Sequence, residues 1–156
     1  MKASCLHSAV MFTKRLEITR SVTTDASWAE VMALILDPST WPKWQAEIRI
    51  AEGPAPLAPS DVVDGRARML GFDVDGKSVT THVSEDRYEQ SVVVGVGMQI
   101  TYTVSSTPSG TTIEHSLSSQ LPAGVLGRVL AVFLARRLRK MQAELLQALK
   151  AQAEAS

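Results

Sequence analysis

The last segment constrains this chain most. After Leu121-Pro122-Ala123-Gly124, the apolar residues Leu126, Leu130, Phe133, Leu134, Leu138, Met141, Leu145, Ala148 and Leu149 recur at helical spacing and form one stripe. Arg128, Arg136, Arg139, Gln142 and Lys150 fall on the opposite, polar face. The segment from Pro122 to about Ala153 reads as a single amphipathic helix. About thirty residues at about 1.5 Å each span roughly 45 Å, enough to cross a whole sheet. A stripe of that length needs a covering layer, and a coiled-coil partner is one solution. The residues upstream supply a better one.

From Asp61 to Ser119 nothing keeps a helical period, while β-branched residues and turn signals recur. Five strands are expected: Val62–Leu70, Val74–Ser84, Tyr88–Val94, Met98–Ser105 and Thr111–Ser119. The connections Gly71-Phe72-Asp73, Glu85-Asp86-Arg87, Gly95-Val96-Gly97 and Thr107-Pro108-Ser109-Gly110 have hairpin length, so the strands form an antiparallel meander. Leu16, Ile18 and Val22 mark a first strand, and Ile48 and Ile50 another. That makes seven. Between these two, Ser27-Trp28-Ala29-Glu30 has capping-box spacing and opens a helix of about ten residues that ends at Asp37-Pro38. Asp37 to Trp44, with two tryptophans and two prolines, reads as a one-turn helix packed by its aromatics, and Gly53 to Pro59 as a proline-stiffened loop.

The chain has 156 residues, 45% of them hydrophobic, which suits one domain with its own core. Residues 1–14 read as a poorly ordered leader and 15–156 as the domain. Sixteen Lys/Arg balance sixteen Asp/Glu, which argues against nucleic acid as a partner. The single cysteine, Cys5, excludes an intrachain disulfide, and three scattered histidines of unlike parity give no metal cluster. No window approaches the roughly 20 apolar residues of a membrane span. A cytoplasmic protein, monomer or homodimer, without stable membrane insertion and without a cofactor is expected.

The order strand, helix, short second helix, meander and long final helix is that of the helix-grip fold. Over about Leu16 to Glu154 the sequence resembles the SRPBCC superfamily of START lipid-transfer domains, birch-pollen-allergen-like proteins and, as the branch it is most similar to, bacterial polyketide cyclase/dehydrase-like proteins. The resemblance is most specific in Ile18-Thr19-Arg20-Ser21-Val22, Glu30-Val31, Asp37-Pro38 and Trp41-Pro42-Lys43-Trp44, and again in Leu145-Leu146-Gln147-Ala148-Leu149-Lys150 followed by Glu154. It implies an α+β fold: a curved seven-stranded antiparallel sheet wrapped on the C-terminal helix, two short helices between the first two strands, and a cavity between sheet and helix. Relatives of this kind hold lipids, polyketides, sterols or hormones there, and a minority catalyse cyclisation or dehydration.

Strand parity then names the side chains expected to line that cavity: Met69, Val92, Met98, Ile100, Tyr102, His115 and Leu117 from the sheet, with Leu130, Phe133 and Leu134 from the helix. Methionines suit a wall that adapts to shape. A hairpin register pairing residues that sum to 217 sets Tyr102 opposite His115. Three roles are open to the pair: a buried hydrogen-bonded couple, a ligand contact, or the proton-transfer pair of a cyclase or dehydratase. Arg137, at the margin of the helix stripe, is either an anchor for an acidic head group or a snorkelling surface residue. His82, Arg66 and Arg68 fall on outward parities, and Asp73-Val74-Asp75-Gly76 reads as a polar turn and no calcium loop. No catalytic residue is assigned. The expected function is binding or carrying a small hydrophobic ligand, with the Tyr102 and His115 enzyme as the alternative.

Overall fold

The computed structural model describes residues 14–69, 71–94, 96–121 and 124–156. Leader residues 1–13 lie outside the described residues. The elements are β1 (Lys14–Thr24), α1 (Trp28–Ile35), a 3-10 turn (Pro38–Thr40), α2 (Trp41–Trp44), β2 (Ile48–Glu52), β3 (Val62–Met69), β4 (Phe72–Val83), β5 (Arg87–Val94), β6 (Val96–Thr107), β7 (Gly110–Leu121) and α3 (Val125–Glu154). The strands form one antiparallel sheet in the order β1-β7-β6-β5-β4-β3-β2. This is the expected helix-grip architecture.

Local chemistry sets the first helices. Glu30 N–H donates to Ser27 Oγ at 3.2 Å and Ser27 N–H donates to Glu30 Oε2 at 2.8 Å, closing the capping box of α1. Asp37 Oδ1 accepts from Ser39 N–H at 3.0 Å and caps the following turn. The indole N–H groups of Trp41 and Trp44 donate to Ile35 O at 3.0 Å and Thr40 Oγ1 at 3.1 Å, so both rings are buried without an orphaned donor. They pack with Val31, Ile35, Tyr102, Leu146 and Leu149 in the main core.

Strand β4 begins at Phe72, two residues earlier than the sequence suggests. Asp73 and Asp75 are therefore strand residues and form no turn. Their carboxylates accept from Arg68 and Arg66 across the ladder, each at 3.0 Å, because opposite charges of matching parity face each other on adjacent strands. Both arginines and His82 lie on the exposed side, as their parity requires.

The orientation of α3 differs from the hydropathy reading. Its buried line runs through Gly127, Ala131, Ala135, Leu138, Gln142, Leu145, Leu146, Leu149 and Ala153. Leu130 and Phe133, assigned to the sheet-facing stripe, are 42% and 63% exposed, and Gln142, assigned to the polar face, is buried. Two anchors explain this. Gln142 meets Ile18 O, and Glu154 accepts from Thr24 Oγ1 at 2.8 Å, so α3 and β1 run alongside each other. Stepping back from Ile18 at about 3.3 Å per strand residue and from Gln142 at about 1.5 Å per helix residue, Lys14 lies level with about Phe133. The first turns of α3 extend beyond Lys14, the first described residue of β1.

Candidate ligand cavity

The cavity forms where the inner face of β3 to β6 curves away from α3. On β3 and β4 the pairs that line it are Val63 with Ser78 and Gly65 with Gly76, continued along β3 by Ala67 and Met69. Two glycines opposite each other remove both side chains from the middle of that surface. Gly65 is required by the backbone, since a Cβ there would lie 2.5 Å from Ile50 O. At Gly76 a Cβ would meet Val94 Cγ2 at 2.6 Å. A hollow of about 120 Å³ results, below the roughly 300–1,000 Å³ of drug-sized ligand pockets. Its walls are mainly apolar: Met69, Val92, Val94, Met98 and Ile100 from the sheet, Trp41 from α2, and Met141 and Leu145 from α3.

Polar groups enter at few points. Gln45, which ends α2, and Ser78 line the hollow, and Gln45 Nε2 and Ser78 Oγ are buried with no hydrogen-bond partner. Gln90 lines it too, with its Oε1 accepting the Tyr88 hydroxyl at 3.3 Å. Burial pushes the Tyr88 phenol up to about 12, so the hydroxyl stays a donor.

Tyr102 and His115 are opposite each other in the β6–β7 register, with ring centroids 4.7 Å apart and edge-on. Both are buried, and the hollow's lining includes neither. Gln142 Nε2 donates to His115 O at 2.8 Å and to Ile18 O at 3.3 Å, and lies 2.8 Å from His115 Nδ1. The amide has two hydrogens for these three acceptors, and because its nitrogen has no lone pair to offer, a bond to Nδ1 requires the imidazole to carry its proton on Nε2. That Nε2 and Gln142 Oε1 are buried without partners. Burial lowers the His115 pKa to about 4 and raises that of Tyr102, so at neutral pH the pair is an uncharged imidazole beside an uncharged phenol.

Of the side chains expected at the cavity, Met69, Val92, Met98 and Ile100 therefore come together on one wall. Leu117 instead packs with Ile18 and Leu138 in a second cluster, with Leu134 at its edge. Leu130, Phe133 and Arg137 are exposed on the first half of α3. Gln45, Ser78, Gln90 and the glycine pair escape a reading by apolar parity because they are polar or lack a side chain. Paired strand glycines were the available signal for the last of these. A larger hollow of about 430 Å³ lies on the outer sheet face, lined by polar residues such as Arg15, Glu17, Gln99 and Thr101. It lacks an apolar wall and is a solvated surface. Among the described residues no group of three or more His, Cys, Asp or Glu side chains is placed to hold a metal ion.

A family profile described as polyketide cyclase / dehydrase and lipid transport matches residues 15–154. None of the curated proteins matches the chain. Solved structures share its fold at low identity. A protein of unknown function from Staphylococcus aureus superposes with TM-score 0.77 at 8% identity, over 92% of this chain and 96% of that one. The ZhuI aromatase/cyclase from Streptomyces sp. R1128 gives 0.76 at 13%, over 90% and 94%. The di-domain aromatase/cyclase StfQ of the steffimycin biosynthetic pathway gives 0.75 at 14%, over 90% of this chain and 51% of that two-domain protein.

Proposed function

Because this chain belongs to the polyketide cyclase/dehydrase and lipid transport family, we propose that it binds or carries a small hydrophobic molecule, lipid-, isoprenoid- or polyketide-like, between the sheet and α3. The observation that carries this reading is the glycine-made hollow, walled by Met69, Val92, Met98 and Ile100. Methionine side chains there can reshape around a guest larger than the hollow. In this reading the protein acts in the cytoplasm, as a monomer or homodimer, without a cofactor.

Binding without turnover is the better-supported form. A proton-transfer role for Tyr102 and His115 needs one of them at the ligand, whereas neither lines the hollow and the imidazole Nδ1 is engaged by Gln142. Native mass spectrometry of protein purified without detergent tests the proposal. A non-covalent hydrophobic adduct that disappears on denaturation is expected. Bare protein mass, with no uptake of fatty acids, isoprenoids or aromatic polyketides added afterwards, would refute it.

A further inference from the structure

The unpartnered polar atoms of the cavity carry a statement about its guest. Ser78 is only 5% exposed and its hydroxyl has no partner, and the Nε2 atom of half-buried Gln45 is likewise buried and unpartnered. A donor left unmet in an apolar surrounding is destabilising, and two of them border one small hollow. Gln90 stands on the strand next to Ser78, one pleat along: Ser78 is opposite Val92, and Gln90 is opposite Thr80. Its carbonyl is occupied by Tyr88, which leaves the amide N–H₂ as the end free for the cavity. All three groups can donate.

None of them is charged, and the charges at the rim are already committed. Arg66 pairs with Asp75 at 3.0 Å and Lys77 with Asp64 at 3.3 Å, both in exposed positions. Glu47 also lines the hollow and disfavours an anion beside it. A carboxylate or phosphate would be stripped of water with only neutral dipoles in return. A neutral carbonyl oxygen accepts two hydrogen bonds and carries a small desolvation cost.

We infer that Gln45, Ser78 and Gln90 form a polar subsite for the carbonyl oxygen of an uncharged, otherwise apolar guest, a ketone, aldehyde or ester. This rests on the cavity being the binding site, as proposed above. The test is a titration of ¹⁵N-labelled protein with 4-phenyl-2-butanone and with butylbenzene, which differ by the carbonyl group, in wild type, Ser78→Ala and Gln45→Met. Wild type should hold the ketone more tightly than the hydrocarbon. Each substitution should weaken the ketone by about tenfold, the worth of one hydrogen bond, and leave butylbenzene unchanged. Equal binding of both probes, unaltered in the variants, would overturn the subsite while the cavity reading stands. Failure of both probes to perturb residues of the hollow would overturn both. Ser78→Ala removes an unmet hydroxyl from a strand, so it should melt at or above the wild-type temperature and decides the matter even if Gln45→Met folds poorly.

Discussion

His115 and Gln142 show how one buried polar contact joins helix to sheet. The two N–H hydrogens of Gln142 are shared among the carbonyls of Ile18 and His115 and the imidazole Nδ1, so the side chain ties α3 to β1 and β7 together. Gln142→Leu fills similar space and leaves these acceptors unmet. It should lower stability by about 1–3 kcal/mol in urea unfolding, and a neutral outcome would mean that water replaces the amide. The imidazole adds a pH dependence of known sign. Its folded pKa, about 4, lies below the ordinary value of 6.5. The unfolded chain therefore takes up the proton first. The neutral ring's contribution is fully present above about pH 6.5 and is lost as pH falls from there toward 4, a change on the order of 3 kcal/mol. Wild type should lose more stability between pH 7.5 and 4.5 than His115→Phe does. Equal losses in the two proteins would place the acid lability elsewhere.

At the scale of elements, α3 is two helices in its energetics. The half from Leu138 onward buries Leu138, Gln142, Leu145, Leu146 and Leu149, and its end is held by Glu154, which accepts from Thr24 Oγ1 and from Asp25 N–H. The first half buries only Gly127, Ala131 and Ala135. Hydrogen exchange should thus be at least about tenfold faster for amides in residues 128–136 than in 142–152, since local opening follows the buried apolar surface at stake. Uniform protection along the helix would contradict it. This division also marks where sequence reading works. Capping box, hairpins and strand parities are written in neighbouring residues, and the Tyr102 to His115 register follows from the hairpin alone. Which side of α3 is covered depends on how the strands and α3 are placed in space, and no periodicity holds that information. Hydropathy ranks Leu126, Leu130 and Phe133 above Gly127, Ala131 and Ala135, while the packing selects the small ones. Gln142 looks like a surface residue until two strand carbonyls are placed beside it.

For the molecule as a whole, the pairing of β1 with β7 brings the first and last strands together, Lys14 opposite Leu121 and Thr24 opposite Thr111. The main core draws on α1, α2, α3 and the central strands at once. Such a core should melt as one unit. Trp28, Trp41 and Trp44 all lie in α1 and α2, so their fluorescence follows one side of the molecule, whereas far-UV circular dichroism follows the sheet and α3. The two urea transitions should coincide, and a tryptophan transition at lower denaturant would reveal α1 and α2 detaching separately.

The facing glycines of β3 and β4 are unequal in what they permit. Gly65 is pinned by a backbone oxygen, which cannot retreat without disturbing β2. At Gly76 the close contact is the tip of the Val94 side chain, with Val93 O farther off at 3.4 Å. One letter of the sequence is thus welded to the scaffold, while its partner acts as an adjustable screw. Drift at position 76 can shrink the room offered to a guest without altering strand order, helix anchoring or the tryptophan core, so appetite for different molecules can diverge among descendants of this chain while their architecture stays the same.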